Sequence, residues 1–417
     1  MQFVHENHRC RFCKADLRVI KNFGKIFSCG IFPNSLNQEV ESSMLKISIC
    51  TMCSMIQLQD NYELSLLYTD SYGYQSSLNK SMVSHLSDLA NELAKYLNNL
   101  EKREQYSHLD IGSNDATLIN LLRKRLPENH TYPPLIQYGI DPTASPYLNN
   151  YQKSQLIVNY FTFELAMSLQ QKFKVVTSIA MLYDLPDPID FFRGIKEILD
   201  SDGIWISEQS YFFSMIDENA FDTVCQEHLQ YYTLKDIANL CDNVGLELFD
   251  VIFNDCNGGS FRFYVQHIGG TNKISDRYLN ALRSESIRDK ESELLNMLKR
   301  VEIIKEKTLQ FLSDSRSRGR EIHGYGASTK GNMLLQYFGI NKDILPFIAE
   351  VNKNKFGKFT PGSNIPIISE QQSKLLNPYA YLVLPWHFKK SILERERSYR
   401  QSHKTKFCFP LPSFTIY

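Results

Sequence analysis

After residue 105 the sequence keeps returning to one pattern: a short apolar run, a small or acidic turn, then helical spacing. "SHLDI" runs into Gly112 and is followed by "DATLINLLRKRL", whose Leu and Ile recur at helical intervals. "IQYGID", "QLIVNY", "KVVTSIA" and "GIWISEQ" read as four further strands. The prolines of "MLYDLPDP" mark a loop before the helix "IDFFRGIKEIL". "TLKDIANLCDNVG" reads as a helix closed by Gly245, and "LELFDVIFND" with "SFRFYVQH" as a final hairpin. Strands alternating with helices imply a doubly wound α/β sheet, in which ligands bind beyond the carboxyl ends of the strands.

A chain of 417 residues exceeds one ordinary core, so several domains are expected. The boundaries fall at 1–68, a Cys-punctuated segment; 69–270, the alternating region; 271–318, a charged helical connector with a solvated face; and 319–417. In the last of these the pattern restarts at "REIHGYGASTKGNMLLQYFG" as a second Rossmann-like α/β unit. Lys plus Arg number 46 and Asp plus Glu 46, a balance that argues against general affinity for nucleic acid or anionic membrane. No apolar stretch approaches the length of a membrane span, and "MQFVHENHRC" lacks a signal-peptide core, so a cytoplasmic protein is expected. Three domains around one cleft can work as a monomer or weak dimer.

In a reducing compartment the nine cysteines need a reason other than disulfides. "CRFC" and "CTMC" place Cys10, Cys13, Cys50 and Cys53 as two knuckles, the spacing of a tetrahedral Zn2+ site with no position left for water. Such a zinc is structural; the alternative is reduced thiols at chance spacing. Cys29 reads as a spectator, and Cys241, Cys256 and Cys408 as packing residues.

In "LDIGSNDATL" Asp110 and Gly112 end the first strand of the alternating region, and Ser113, Asn114 and Asp115 lead into the helix. Glycine lets the chain pass close to a ligand while the following amides point at it. The motif lacks the three glycines of a dinucleotide fingerprint, which suits S-adenosylmethionine, a cofactor with no pyrophosphate. Asp141 and Pro142 end the second strand, with Asp141 placed to accept from ribose hydroxyls. Ala180 and Met181 end the fourth. With five strands and a closing hairpin, the arrangement is that of a class I methyltransferase domain.

Two loops are expected above that sheet. One carries Tyr183 and Asp184; the other carries Glu208, Tyr211 and the decapeptide "CQEHLQYYTL", in which Glu227 and His228 adjoin without an HExxH zinc motif. Placed over a methyl donor, His228 would take a proton from carbon, and Glu227 would orient the ring or hold a hydroxyl. The alternative is a core histidine satisfied by its neighbours. In the last domain "GYGASTKGN" supplies Gly324, Gly326 and Gly331, with Lys330 at a helix start; amides plus lysine suit a pyrophosphate. A helix cap and a packing aromatic explain the same residues.

Together "CRFC…CTMC", "DIGSND", "DTVCQEHLQYYTL", "NGGSFR", "GYGASTKGNMLLQYFGI" and "FTPGSNIPI…LPWHF" resemble the sugar C-methyltransferases of nucleotide-sugar biosynthesis. The resemblance covers nearly the whole chain. It implies a zinc domain, an S-adenosylmethionine domain and a C-terminal Rossmann-like domain. It also implies methylation at a ring carbon, typically C3, of a 4-keto-6-deoxy sugar on a nucleoside diphosphate (thymidine or guanosine), for a branched sugar of a surface glycan or natural product. By resemblance His228 is the base, and Tyr72 and Tyr74 of "DSYGYQSS" lie near the sugar. Tyr211, Cys225, Asn257, Ser328, Thr329, Lys330, Asn332 and His387 are then candidates to hold the sugar nucleotide. Cys225 stands where many members have Tyr, Gln226 where His is commoner, and Asp184 where His often stands. Those departures keep two alternatives open: an O- or N-methyltransferase of the same architecture, or a catalytically silent sugar-nucleotide-binding protein.

Overall fold

The computed structural model describes residues 3–68, 74–99, 105–126 and 134–417. In the first segment β1 (Leu17–Phe27), β2 (Ser42–Cys50) and β3 (Ile56–Leu58) form an antiparallel sheet, with both CxxC knuckles at turns beside it. The helix α1 (Lys80–Asn98) starts at Asn79, whose side chain accepts from the amides of Ser81 and Met82. It buries Met82, Leu86, Leu89, Leu93 and Leu97, a stripe at helical spacing, against the central sheet.

The central domain continues with β4 (Tyr106–Ile111), α2 (Thr117–Arg125), β5 (Leu135–Ile140), β6 (Gln155–Ile157) and β7 (Phe173–Ile179). Then come α3 (Pro188–Ile198), β8 (Leu199–Ser210), a two-residue strand β9 (Gln230–Tyr231), α4 (Leu234–Val244), β10 (Leu246–Asn254) and β11 (Ser260–His267). Among the described residues the sheet has seven strands in the order β10-β11-β8-β7-β4-β5-β6. All neighbours are parallel except β11, which runs antiparallel between β8 and β10. The order reverses beside β4, so the crevice opens at the carboxyl ends of β4 and β7. Helix α4 shows how local the instructions are: Thr233 and Asp236 close a capping box at its start, and Gly245 at φ 82° ends it.

Helices α5 (Asp276–Ser286) and α6 (Lys290–Ser317) occupy the connector. The solvated connector expected there is corrected in one respect. Leu294, Met297, Val301, Ile304 and Leu312 are buried in a core shared with residues of the first and last domains, so α6 is a strut rather than a tether. The last domain runs β12 (Ile322–Tyr325), α7 (Thr329–Phe338), β13 (Ile348–Glu350), β14 (Ile367–Ser369), β15 (Ala380–Val383), β16 (Lys406–Phe409) and β17 (Thr415–Ile416). Its sheet order is β14-β13-β12-β15-β16-β17. Among the described residues no helix is long and apolar enough to cross a membrane.

The domains interlock at the strand that follows His228. β9 leaves the central domain and pairs antiparallel with β3, placing Gln230 opposite Gln57 and Tyr231 opposite Ile56. Two residues of the decapeptide thus form the edge strand of the N-terminal sheet.

Candidate functional site

A cleft of about 170 Å³ opens at the carboxyl ends of β4, β5 and β7. Asp110, Gly112, Ser113, Asn114, Asp141, Pro142, Ala180 and Met181, the residues singled out in the sequence for the cofactor, line it. Gly112 sits at φ 75°, and a Cβ there would lie 3.0 Å from Met181 Cγ, so the glycine is required both by its backbone and by its neighbour. Asp110 is buried beneath it; burial pushes its pKa up to about 7, against the Thr177 hydroxyl that donates to Oδ1 at 2.6 Å. Asp141 orders the loop: Oδ2 accepts from the Asn114 amide at 2.9 Å and Oδ1 from the Thr143 amide and hydroxyl at 2.7 Å.

Asp115, expected among the lining residues, is turned to another task. Its carboxylate accepts from the Ser77 amide at 3.0 Å and the Thr117 hydroxyl at 2.5 Å. Asn114 works beside it, accepting from the Ser76 amide at 3.0 Å and donating to the Tyr74 carbonyl at 3.2 Å. These bonds lay residues 74–77 across the mouth of the cleft, where Tyr74 is a wall. Tyr72 lies outside the described residues. Leu64, Tyr68, Met82, Leu86, Tyr160 and Phe161 also line the cleft and carry no motif that would have marked them. Glu208 is corrected from loop to strand: it lies near the carboxyl end of β8, where it pairs with Arg262 and His85. Burial pushes its pKa up, but His85 and Arg262 outweigh this and the carboxylate stays below its ordinary range.

His228 does not face this cleft directly, which corrects the expectation that the decapeptide lies over it. The turn Leu182–Asp184 stands between. Asp184 and Leu185 line the cleft, whereas Tyr183 and His228 line a separate cavity of about 10 Å³, roughly one water. The Tyr183 ring meets the imidazole edge-on at 4.5 Å between centroids. His228 Nδ1 donates to the Thr223 carbonyl at 2.7 Å; a carbonyl can only accept, so Nε2 is left as the acceptor nitrogen. Burial lowers its pKa to about 4, helped by the charge of Lys330 and opposed by the Thr223 carbonyl, so the ring is neutral at pH 7. The decapeptide is pinned on both flanks. The Leu229 amide donates to the Tyr183 carbonyl, the Leu58 amide to the Leu229 carbonyl, and Gln226 Nε2 to the Ile26 carbonyl.

Glu227 points away from the imidazole's cavity. Its carboxyl is buried against Gly30, where a Cβ would lie 2.5 Å from Oε1, and Oε2 has no partner among the described residues. Burial raises its pKa, and that of Asp184 rises well above the ordinary range for the same reason. Asp184 is therefore a protonatable group on the cleft wall, with Oδ1 unpartnered among the described residues.

The remaining candidates divide. Lys330 Nζ donates to the Asn257 carbonyl at 2.9 Å, across the boundary between the central and last domains, and its charge bears on His228, His387 and Asp222. His387 is neutral at pH 7, its pKa lowered to about 3 by burial and Lys330, and its Nδ1 has no partner among the described residues. Ser328 accepts from the Gly331 amide and caps α7, which Thr329 begins. Asn332 donates to the Cys29 carbonyl at 2.7 Å and braces the first domain. Tyr211 gives its hydroxyl to Glu285 at 2.8 Å while its ring lines the cavity of His228. Cys225 is fully buried, its thiol toward the Thr223 carbonyl.

The sulfurs of Cys10, Cys13, Cys50 and Cys53 all lie within 4.8 Å of one another, with Cys10–Cys53 at 3.7 Å and Cys13–Cys50 at 3.3 Å. Tetrahedral zinc with sulfur at about 2.3 Å separates its ligands by roughly 3.8 Å, so the set fits. The Met52 and Cys53 amides donate to Cys50 Sγ and Gln57 Nε2 to Cys10 Sγ, bonds that favour thiolates.

Two family models divide most of the chain. Residues 82–251 match a methyltransferase domain, and residues 255–412 match the C-methyltransferase C-terminal domain. The chain is also 26% identical over 420 residues to C-methyltransferase NovU of Streptomyces niveus, covering 97% of this chain and 95% of that one. The chain belongs to the C-methyltransferase family. This C-methyltransferase uses S-adenosylmethionine. Among solved structures it is similar to the plantazolicin methyltransferase BpumL in complex with SAH, at 12% identity and TM-score 0.36, over 45% of this chain and 86% of that one. It is also similar to an S-adenosylmethionine-dependent methyltransferase from Clostridium acetobutylicum, at 14% identity and TM-score 0.35, over 45% of this chain and 92% of that one.

Proposed function

We propose that the enzyme methylates a ring carbon, C3 by resemblance, of a 4-keto-6-deoxy sugar linked to a nucleoside diphosphate, with His228 removing the proton from that carbon. The observation that carries the reading is the tautomer of His228: with Nδ1 committed to the Thr223 carbonyl, Nε2 offers a lone pair on a ring that is neutral at pH 7. A sugar hydroxyl attacking through oxygen needs less help from a base than a C–H bond does, so this arrangement favours carbon.

In this account Asp110, Gly112, Asn114 and Asp141 hold S-adenosylmethionine. Bound there, it supplies an electrophilic methyl group on its sulfonium. His228 Nε2 takes the proton from the carbon beside the ketone, and the electron pair of the broken C–H bond forms the enolate. The enolate carbon would then bond to the methyl group as the S–CH3 bond breaks with its electron pair going to sulfur, leaving S-adenosylhomocysteine and the C-methylated ketone, and His228 would return its proton to water. Because Leu182–Asp184 stands between His228 and the cleft, that turn moves aside when the sugar enters. Lys330, near His228 and carrying positive charge, lies where it offsets the charge of the sugar nucleotide or its enolate. Cys10, Cys13, Cys50 and Cys53 hold a structural zinc that secures the sheet to which β9 belongs.

One observation favours a second reading, with Asp184 as base: it lines the cleft itself, and burial raises its pKa. Methyl transfer to a panel of thymidine-, guanosine- and cytidine-linked keto sugars, followed by mass spectrometry, tests the substrate. With the accepted sugar, His228→Asn is expected to be inactive and Asp184→Asn active; the reverse result transfers the base to Asp184.

A further inference from the structure

The Thr223 carbonyl that sets the His228 tautomer belongs to a short turn, Phe221–Thr223, in the loop after β8. Every residue of this turn is buried, and its side chains are gripped from the last domain. The Phe221 ring stacks on Phe338 of α7 at 5.4 Å and 14°. Asp222, with no exposed surface, accepts at Oδ2 from the indole Nε1 of Trp386 at 2.9 Å. Trp386 lies just after β15, so the contact spans two domains.

A buried carboxylate is an expensive way to hold a turn, because an apolar pair of similar size packs there without losing hydration. Asp222 leaves Oδ1 without a partner among the described residues, and the nearby Lys330 ammonium is engaged by the Asn257 carbonyl. Such an arrangement calls for a role other than stability. The bond has direction where packing does not: it holds Asp222 in one orientation within the turn, and with it the next peptide, Thr223–Val224, whose carbonyl accepts from Nδ1–H.

We propose that Asp222 and Trp386 are positioning residues through which the C-terminal domain sets the tautomer and orientation of the His228 imidazole. Neither touches the reacting carbon in this account; both act through the Thr223 carbonyl. The inference rests on His228 being the base, but its principal readout does not require turnover. The other groups that face the imidazole are Tyr183, Ser210, Tyr211 and Tyr231 around its cavity, with the charge of Lys330 beyond. None of these is altered by the variants below.

The test is nitrogen NMR of the full-length protein labelled at histidine and tryptophan, with the His228 signals assigned through His228→Asn. Trp386→Phe keeps an aromatic ring and removes only the N–H donor; Asp222→Ala removes the acceptor; Asp222→Asn keeps an oxygen that can accept. With two tryptophans in the chain, Trp386→Phe also assigns the indole signal that reports the bond. The wild type and Asp222→Asn are expected to show the Nδ1–H form of His228 almost alone. Trp386→Phe and Asp222→Ala are expected to show a mixture of tautomers. In the same pair kcat falls about tenfold while KM for S-adenosylmethionine stays within about twofold. An unchanged tautomer in folded Trp386→Phe overturns the inference, whatever happens to kcat. If Asp222→Ala does not fold, Trp386→Phe decides alone. If no sugar nucleotide is methylated by the wild type, the proposed function fails, yet the tautomer comparison still decides this proposal.

Discussion

The cleft at the strand ends and the cavity of His228 lie on opposite sides of one short turn and are built by different means. The cleft is open and is made chiefly by the ends of β4, β5 and β7 with the loops that follow them, so most of its walls are local to strand–loop–helix units. The cavity of His228 is water-sized, and the loop around it is held by the N-terminal sheet at β9, by Tyr183 from the loop after β7, and by the last domain at Phe221 and Asp222. A methyl donor common to many enzymes can be held by one domain. Forming a carbanion, as proposed for His228, needs a base aligned to one C–H bond, and the loop that holds this imidazole is braced by three domains.

The comparison breaks most sharply at His228. His228→Asn should lower methyl transfer by about a thousandfold or more while calorimetry shows unchanged affinity for S-adenosylmethionine. If affinity for the donor falls in parallel, the two sites are not separable. Gly112→Ala should do the converse: a side chain at φ 75° against Met181 is expected to weaken donor binding about tenfold, with the His228 tautomer unchanged by NMR.

Cys10→Ser or a strong chelator should remove the zinc proposed for the four cysteines, measured by metal analysis, and lower the melting temperature by roughly 5–10 °C, the equivalent of about 3 kcal/mol. Because β9 belongs to the N-terminal sheet, kcat should suffer more than donor affinity; equal losses would show that the zinc domain supports both sites alike.

The pH profile gives the smallest and finest effect. A base works only when unprotonated, so activity is lost as pH falls through its folded-state pKa. Burial and Lys330 lower that value for His228 to about 4, so the acid limb of kcat/KM should lie well below pH 6.5. A half-maximum at 6.5 or above would contradict the environment described for the ring.

These two sites also differ in how far they could be read in advance. Part of the cleft was legible because its residues there follow strands whose periodicity is visible, as Gly112 follows "SHLDI" and Asp141 follows "IQYGI". Asp115 escaped because its carboxylate serves backbone that lies far back in sequence, at Ser77. His228 was found as a residue, but not the side of the Leu182–Asp184 turn on which it lies, since a two-residue pairing with β3 decides that. Glu227, its sequence neighbour, turns to Gly30 because the chain bends there: the His228 amide donates to the Cys225 carbonyl and closes a turn that no residue pattern announces. Asp222 stood within the quoted block "DTVCQEHLQYYTL", yet nothing there announces Trp386 as its partner.

Proton removal from carbon can be watched without methylation. The enzyme would be incubated in deuterated water with S-adenosylhomocysteine and the accepted 4-keto-6-deoxy sugar nucleotide, and deuterium followed at the carbon beside the ketone. The account predicts rapid exchange with the wild type and background exchange with His228→Asn. Equal exchange in the two proteins would contradict it.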